Sequence, residues 1–334
     1  APQRAMPRRR APRLAMRLGS WASLTLAMLL ASACSAWEPA SGTPSPAALS
    51  SDWRIEQLSG LAPTSRVLTL RREATREPPL FRLLVIPGSG CSGFATFADQ
   101  YFRGLSGAQV IVLHKPHVDL FAGPSPTECS PEFLRHDALG SWRDDAIAAL
   151  RQLSLRDSVA LPTILLGISE GAEIAPYLLA EISKPIGLVL LSATGLDPAL
   201  AGEMQAERLG QGPAWKRLMQ AVTSAQSDET IVEGRSLRYW RDMFGWKPTP
   251  TLAEVRLPVL RVWGSEDALL PQPAYDRLRS LPAVNAMNLC DWRIDGADHG
   301  LQGRRGDGVQ LLWQRLEAWV TAGRLDCRGV TQQH

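Results

Sequence analysis

Residues 163–180 read Thr-Ile-Leu-Leu-Gly-Ile-Ser-Glu-Gly-Ala-Glu-Ile-Ala-Pro-Tyr-Leu-Leu-Ala, and two periodicities meet inside them. The first six residues are a short aliphatic and β-branched run, the pattern of a strand buried on both faces. From Gly171 onward the apolar positions return at helical spacing. At the junction stands Gly167-Ile168-Ser169-Glu170-Gly171, a G-x-S-x-G sequence on a strand-to-helix turn. A sharp turn of this kind strains its central residue and packs its neighbours closely, so glycines on both sides of the serine leave no Cβ atoms in the way. A serine hydroxyl is a poor nucleophile unless a base takes its proton. Imidazole does so best when a carboxylate fixes its tautomer and stabilises the cation.

Both partners follow downstream. A strand expected at Val259–Trp263 runs into Gly264-Ser265-Glu266-Asp267, and one expected at Trp292–Ile294 is followed by Gly296-Ala297-Asp298-His299-Gly300. Further strands are expected at Trp53–Leu58, Val67–Arg71, Phe81–Ile86, Gln109–Leu113 and Gly187–Leu191. Helices are expected at Phe94–Leu105, Asp137–Leu153, Gly171–Ile182, Pro273–Leu281 and Gly308–Val320, the last with Leu311, Leu312, Leu316, Trp319 and Val320 on one face. Alternating strands and helices predict an α/β protein with a mainly parallel eight-stranded sheet flanked by helices. The first two strands have no helix between them and predict an antiparallel entry. Residues 194–256 break the rhythm, with helical pieces at Leu200–Leu209, Trp215–Ala225 and Ile231–Phe244 and no convincing strand. A stretch of this length is too long for a bare connection and predicts an α-helical cap insertion.

Taken together, the order Ser169, Asp267, His299, each at the end of its own strand, resembles the α/β-hydrolase fold family over residues 53–322. The resemblance implies Ser169 as nucleophile, Asp267 as the acid and His299 as general base. Glu266 is the neighbouring alternative for the acid, and Asp298 is expected to point away from the base. The family also carries an HG-type loop after its third strand; here Pro87-Gly88-Ser89-Gly90-Cys91-Ser92-Gly93 stands there, with Pro87 in place of the usual His. By position, the backbone N–H groups of Ser89 and Glu170 are the expected oxyanion donors. Read as a phosphate cradle, the loop lacks the Lys and Ser/Thr ending of a P-loop. The implied activity is cleavage of a carboxylic ester or related small-molecule acyl substrate through an acyl-enzyme, with no metal or organic cofactor. A serine peptidase or amidase would use the same triad, and a binding protein would keep the fold without turnover.

Other polar residues take blander readings. Glu170 is either a carboxylate reaching the substrate or an acid favoured by the helix dipole. His114 and His117 are loop or site-rim residues rather than second bases, and Asp144-Asp145 form a polar helix face. The aromatics Trp215, Tyr239, Trp240, Phe244 and Trp246 read as the core of the insertion ahead of an acyl pocket wall.

The N-terminus reads as an address. Arg8, Arg9, Arg10, Arg13 and Arg17, the apolar run Trp21–Leu30 and the small residues Ala31-Ser32-Ala33 are the parts of a secretory signal. Leu30-Ala31-Ser32-Ala33-Cys34 resembles the lipobox of bacterial lipoproteins, which implies acylation of Cys34 and a membrane anchor. The same small residues would serve ordinary cleavage and release of a soluble secreted protein. The expected organisation is a signal over 1–33, an Ala/Ser/Pro-rich tether over 34–52, the core over 53–193 and 257–326, and the insertion over 194–256. The location implied is periplasmic or on the outer membrane. Export favours disulfides, and Cys91 with Cys129 and Cys290 with Cys327 are the preferred pairs because each closes a short loop within one region. The formal charge of the 334-residue chain is +3, but six Arg and no acid lie in residues 1–33, leaving 30 basic against 33 acidic groups in the body. That balance offers no basic face for nucleic acid.

Overall fold

The computed structural model describes residues 49–123, 129–157, 159–304, 306–325 and 327. The expected signal, the Cys34 lipidation site and all but the last few residues of the tether lie outside the described residues.

Eight strands make one sheet: β1 (Trp53–Ser59), β2 (Arg66–Arg72), β3 (Phe81–Ile86), β4 (Ala108–Leu113), β5 (Thr163–Ile168), β6 (Pro185–Leu191), β7 (Val259–Gly264) and β8 (Leu289–Ile294). Their spatial order is β1-β2-β4-β3-β5-β6-β7-β8. Only β2 runs against its neighbours, and every other pairing is parallel. The inner strands carry unbroken aliphatic runs because both faces are covered. Leu83, Val85, Val110, Val112, Ile164 and Leu166 face one layer, and Leu84, Ile111, Leu165, Leu188 and Leu190 face the other.

Ten helices flank or extend the sheet among the described residues: α1 (Ala98–Tyr101), α2 (Pro131–His136), α3 (Leu139–Arg156), α4 (Gly171–Leu178), α5 (Pro198–Arg208), α6 (Gly212–Val222), α7 (Leu237–Gly245), α8 (Pro248–Ala253), α9 (Gln272–Arg279) and α10 (Gly308–Ala322). Helices α3 and α4 pack on one face, and α10 lays Leu312, Trp313, Leu316 and Trp319 on the other. Leu311, expected on that face, is 44% exposed. Trp313 takes the inward position, its indole N–H donating to the Tyr101 carbonyl at 2.7 Å.

One expected helix is cut short and another starts two residues late, where hydrogen bonds that periodicity does not register hold the chain. In the span 94–105 only α1 forms, because the Phe94 N–H is held by His114 and the Ala95 N–H by the Leu120 carbonyl. The apolar residues there build an aromatic cluster instead, with Phe94 4.6 Å from Phe97 and Phe102 stacked 5.5 Å from Trp313. Further on, extended backbone at Asp137 and Ala138 separates α2 from α3, and the Asp137 side chain turns inward to Lys115 and Arg235.

Between β6 and β7 lies the expected helical insertion. It also contains α8, and the helix expected over Ile231–Phe244 begins only at Leu237, its first six residues forming instead a two-residue antiparallel ribbon, Ile231–Val232 with Arg235–Ser236. Glu233 and Gly234, both at positive φ, make the ribbon's tight turn, and strands of two residues are too short to show alternation. Trp215 and Phe244 pack ring to ring at 5.0 Å inside the insertion, and Trp215, Trp240 and Trp246 are buried. Both expected disulfides are present, with Cα atoms 5.7 Å apart for Cys91–Cys129 and 5.4 Å for Cys290–Cys327.

Gly187 in β6 marks the closest approach of α10 to the sheet: a Cβ there would lie 2.1 Å from the Trp319 ring. Gly187→Ala is therefore expected to destabilise the fold by about 1–3 kcal/mol through overpacking, read as a lower urea midpoint at unchanged slope.

Candidate active site

The turn between β5 and α4 puts Ser169 at φ +50°, a left-handed conformation unusual for a residue with a Cβ. Its N–H donates to the Leu191 carbonyl at 2.8 Å and its carbonyl accepts from the Ala172 N–H at 2.9 Å, which hold the strained geometry. A Cβ on Gly171 would stand 2.1 Å from the Ile86 carbonyl oxygen, and one on Gly167 2.5 Å from the Ala172 Cα. Both glycines are thus required by backbone packing.

The loops after β7 and β8 interlock beside this turn. The Ser265 N–H donates to the Ile294 carbonyl at 3.0 Å and the Glu266 N–H to the Ala297 carbonyl at 2.9 Å. Gly264 has no room for a side chain, since its Cβ would lie 2.1 Å from the Ala297 oxygen. The Ser192 hydroxyl donates to the His299 carbonyl at 2.5 Å and so pins His299 from the end of β6. His299 Nε2 lies 3.1 Å from Ser169 Oγ, and its Nδ1 lies 2.8 Å from Asp267 Oδ2. Asp267 Oδ1 accepts the N–H groups of Leu269 and Leu270 at 2.8 and 3.0 Å. Glu266 is exposed, and the Asp298 carboxylate turns to the Gln302 N–H at 2.8 Å. Of Glu266, Asp267 and Asp298, only Asp267 meets the imidazole.

Tyr275 on α9 completes the acid's coordination, donating its hydroxyl to Asp267 Oδ2 at 3.1 Å while its ring stacks on Trp263 at 4.2 Å. Burial and the Asp267 charge push this phenol well above its usual value, so it stays a donor. No motif announces Tyr275.

A cavity opens over Ser169, lined by Ser89, Glu170, His299 and residues of the insertion. Ser89 is buried in the loop after β3, and the Cys91–Cys129 disulfide ties that loop to the segment beyond β4. Behind it sits His114, a core residue and not a rim residue: its Nε2 accepts the Phe94 N–H at 3.3 Å and its Nδ1 faces the Leu68 carbonyl at 3.3 Å. His117 lies apart from the triad, stacked 4.6 Å from His136.

Glu170, the N-cap residue of α4, lines the cavity, and its carboxylate is held in a buried network, pairing with Lys115 and accepting from the Tyr239 hydroxyl at 2.6 Å. Lys115 also donates to Asp137 at 2.7 Å, and Arg235 pairs with the other Asp137 oxygen. Burial alone would push the Glu170 carboxyl up; the Lys115 and Arg235 charges, with hydrogen bonds from Lys115 and Tyr239, hold it below the usual range. Two cations and two anions balance, and the network joins the residue after Ser169 to the insertion. Of the five aromatics weighed in the insertion, only Tyr239 lines the cavity. Among the described residues no group of three His, Cys, Asp or Glu side chains is arranged to hold a metal.

Neither a family model nor a curated protein matches the chain by sequence. Solved structures do resemble it. An esterase domain from Rhodothermus marinus superposes with a TM-score of 0.52 at 16% identity, covering 81% of this chain and 98% of its own. Alpha/beta hydrolase domain-containing protein 10 from mouse gives 0.53 at 17% identity, covering 80% and 99%. Est1E from Butyrivibrio proteoclasticus gives 0.52 at 12%, covering 80% and 99%. Sheet order and neighbours together define the α/β-hydrolase fold.

Two outcomes follow. Lys115→Met leaves Glu170 and Asp137 short of a buried cation, and a loss of about 3–5 kcal/mol is expected, measurable by chemical denaturation. His114 sets an acid limit. Burial pushes its imidazole from 6.5 down to about 4, against the pull of backbone hydrogen bonds. The unfolded chain therefore takes this proton first, and the stability is complete above pH 6.5 and lost as the pH falls towards 4. That shift corresponds to about 3 kcal/mol. His114→Gln should flatten the pH dependence of the urea midpoint across this window.

Proposed function

We propose that the protein is a serine hydrolase that cleaves a carboxylic ester or related acyl substrate through an acyl-enzyme on Ser169. The observation that carries this reading is the continuous line from Ser169 Oγ through both His299 nitrogens to Asp267, at the floor of a cavity. In the proposed cycle His299 Nε2 takes the hydroxyl proton as Oγ bonds to the substrate carbonyl carbon. Asp267 holds the Nδ1–H tautomer and stabilises the imidazolium. Negative charge on the carbonyl oxygen meets the backbone N–H groups of Ser89 and Glu170. Collapse expels the alcohol, which receives the proton from His299; water then repeats the sequence on the ester carbon and frees the acid and Ser169.

The insertion over 194–256 is read as a cap, supported by the insertion residues that line the cavity: Pro198, Ala201, Gly202, Gln205, Tyr239 and Met243. Export is supported by the two disulfides, which belong to an oxidising compartment. The Arg-rich start and the lipobox-like Cys34 extend that reading to an anchored lipoprotein. No described helix is long and apolar enough to cross a membrane.

The test is turnover of 4-nitrophenyl esters by the wild type and by Ser169→Ala. A drop of about 10³-fold or more is expected, the scale of a missing nucleophile. Equal activity in the two proteins would contradict the assignment.

A further inference from the structure

The cavity over Ser169 contains an acid that the proposed mechanism does not use. Glu173, in the first turn of α4, lines the cavity together with Ser169 and His299. Its Oε2 is shut off from solvent and makes no hydrogen bond among the described residues. The other titratable groups of the lining are matched: Glu170 by Lys115, His299 by Asp267, and Tyr239 by Glu170. Asp197, whose charge reaches Glu173, pairs with Lys247 at 3.3 Å. Among the described residues no Lys or Arg lines the cavity. Glu173 is thus the one acid of this wall without a counterion.

Burial, then the charges of Glu170 and Asp197, push the Glu173 carboxyl well above the usual range. The Glu173 side chain is only partly buried, and an acid that lines a cavity without a partner marks a place where a ligand supplies the missing bond. Around it Leu139, Ala201, Met243, Leu269 and Leu270 offer an apolar wall for a hydrocarbon chain. The wall selects a chain, and the acid selects what the chain carries.

We propose that Glu173 is the recognition site for a protonated amine, so that the substrate is an acyl compound with an alkylammonium group on the arm lying in this cavity. This rests on the acyl-hydrolase reading of the same site. An ammonium brought against Glu173 replaces the proton: the carboxyl ionises, its proton leaves to solvent, and an ion pair forms out of water.

The test uses n-hexylammonium and 1-hexanol as probes, titrated calorimetrically into the protein, since binding needs no turnover. At pH 6 hexylammonium should bind about tenfold more tightly than hexanol, the worth of one charge-assisted hydrogen bond. It should also release protons, seen as a dependence of the heat on buffer ionisation enthalpy. Glu173→Gln should remove both the preference and the proton release, while its affinity for hexanol reports whether the cavity is still formed. Equal affinities in the wild type, binding without proton release, or a preference that survives Glu173→Gln would each overturn the proposal. Should the variant fail to fold, proton release by the wild type alone decides. A protein that prefers the ammonium yet hydrolyses no ester would refute the hydrolase reading and leave the amine site standing.

Discussion

The close approach of Gly171 to the Ile86 carbonyl is the constraint from which the site is built. It lets the start of α4 lie against the end of β3, which sets the Pro87–Gly93 loop beside Ser169. A side chain at Gly171 would drive the two strand ends apart and separate Ser89 from Ser169. The positive φ of Ser169 follows from the same crowding, and its cost of about 1–3 kcal/mol is borne by the buried sheet around it. Because β3, β5, β6, β7 and β8 are parallel, their C-terminal ends all open on one edge. Ser89, Ser169, Ser192, Asp267 and His299 come from five different strand ends and meet there.

Two acids three residues apart on the same turn are treated oppositely. Glu170 is ionised because Lys115, Tyr239 and, through Asp137, Arg235 close a neutral cluster around it. Glu173 has no such cluster, and burial with the Glu170 and Asp197 charges pushes its carboxyl well above the usual range. The first binds the insertion to the residue whose N–H is the proposed oxyanion donor, which couples the cavity roof to its floor. The second leaves an unmet bond in the wall.

The sheet was legible because buried parallel strands must be apolar on both faces, and all eight expected strands lie within observed ones. The three pieces around Ser169, Asp267 and His299 were legible because each carries a glycine the backbone requires, Gly167, Gly171 and Gly264 at tight crossings and Gly296 at positive φ, and glycine leaves a mark in the sequence. Tyr275, Lys115 and Arg235 were not, since a buried side chain that reaches across the fold has no local period. Glu173 left one faint signal, an acid in the first turn of an otherwise apolar helix. Periodicity failed where a side chain or ring cluster captured the backbone, as at Phe94 and at Asp137.

The central claim is that Ser169 is activated by His299 and Asp267 in the resting protein. Reaction with a fluorophosphonate, followed by intact mass and peptide mapping, tests that claim without knowledge of the substrate. The account predicts a single adduct on Ser169, lost on His299→Ala. No adduct on the folded protein, or an adduct at another residue, would contradict it.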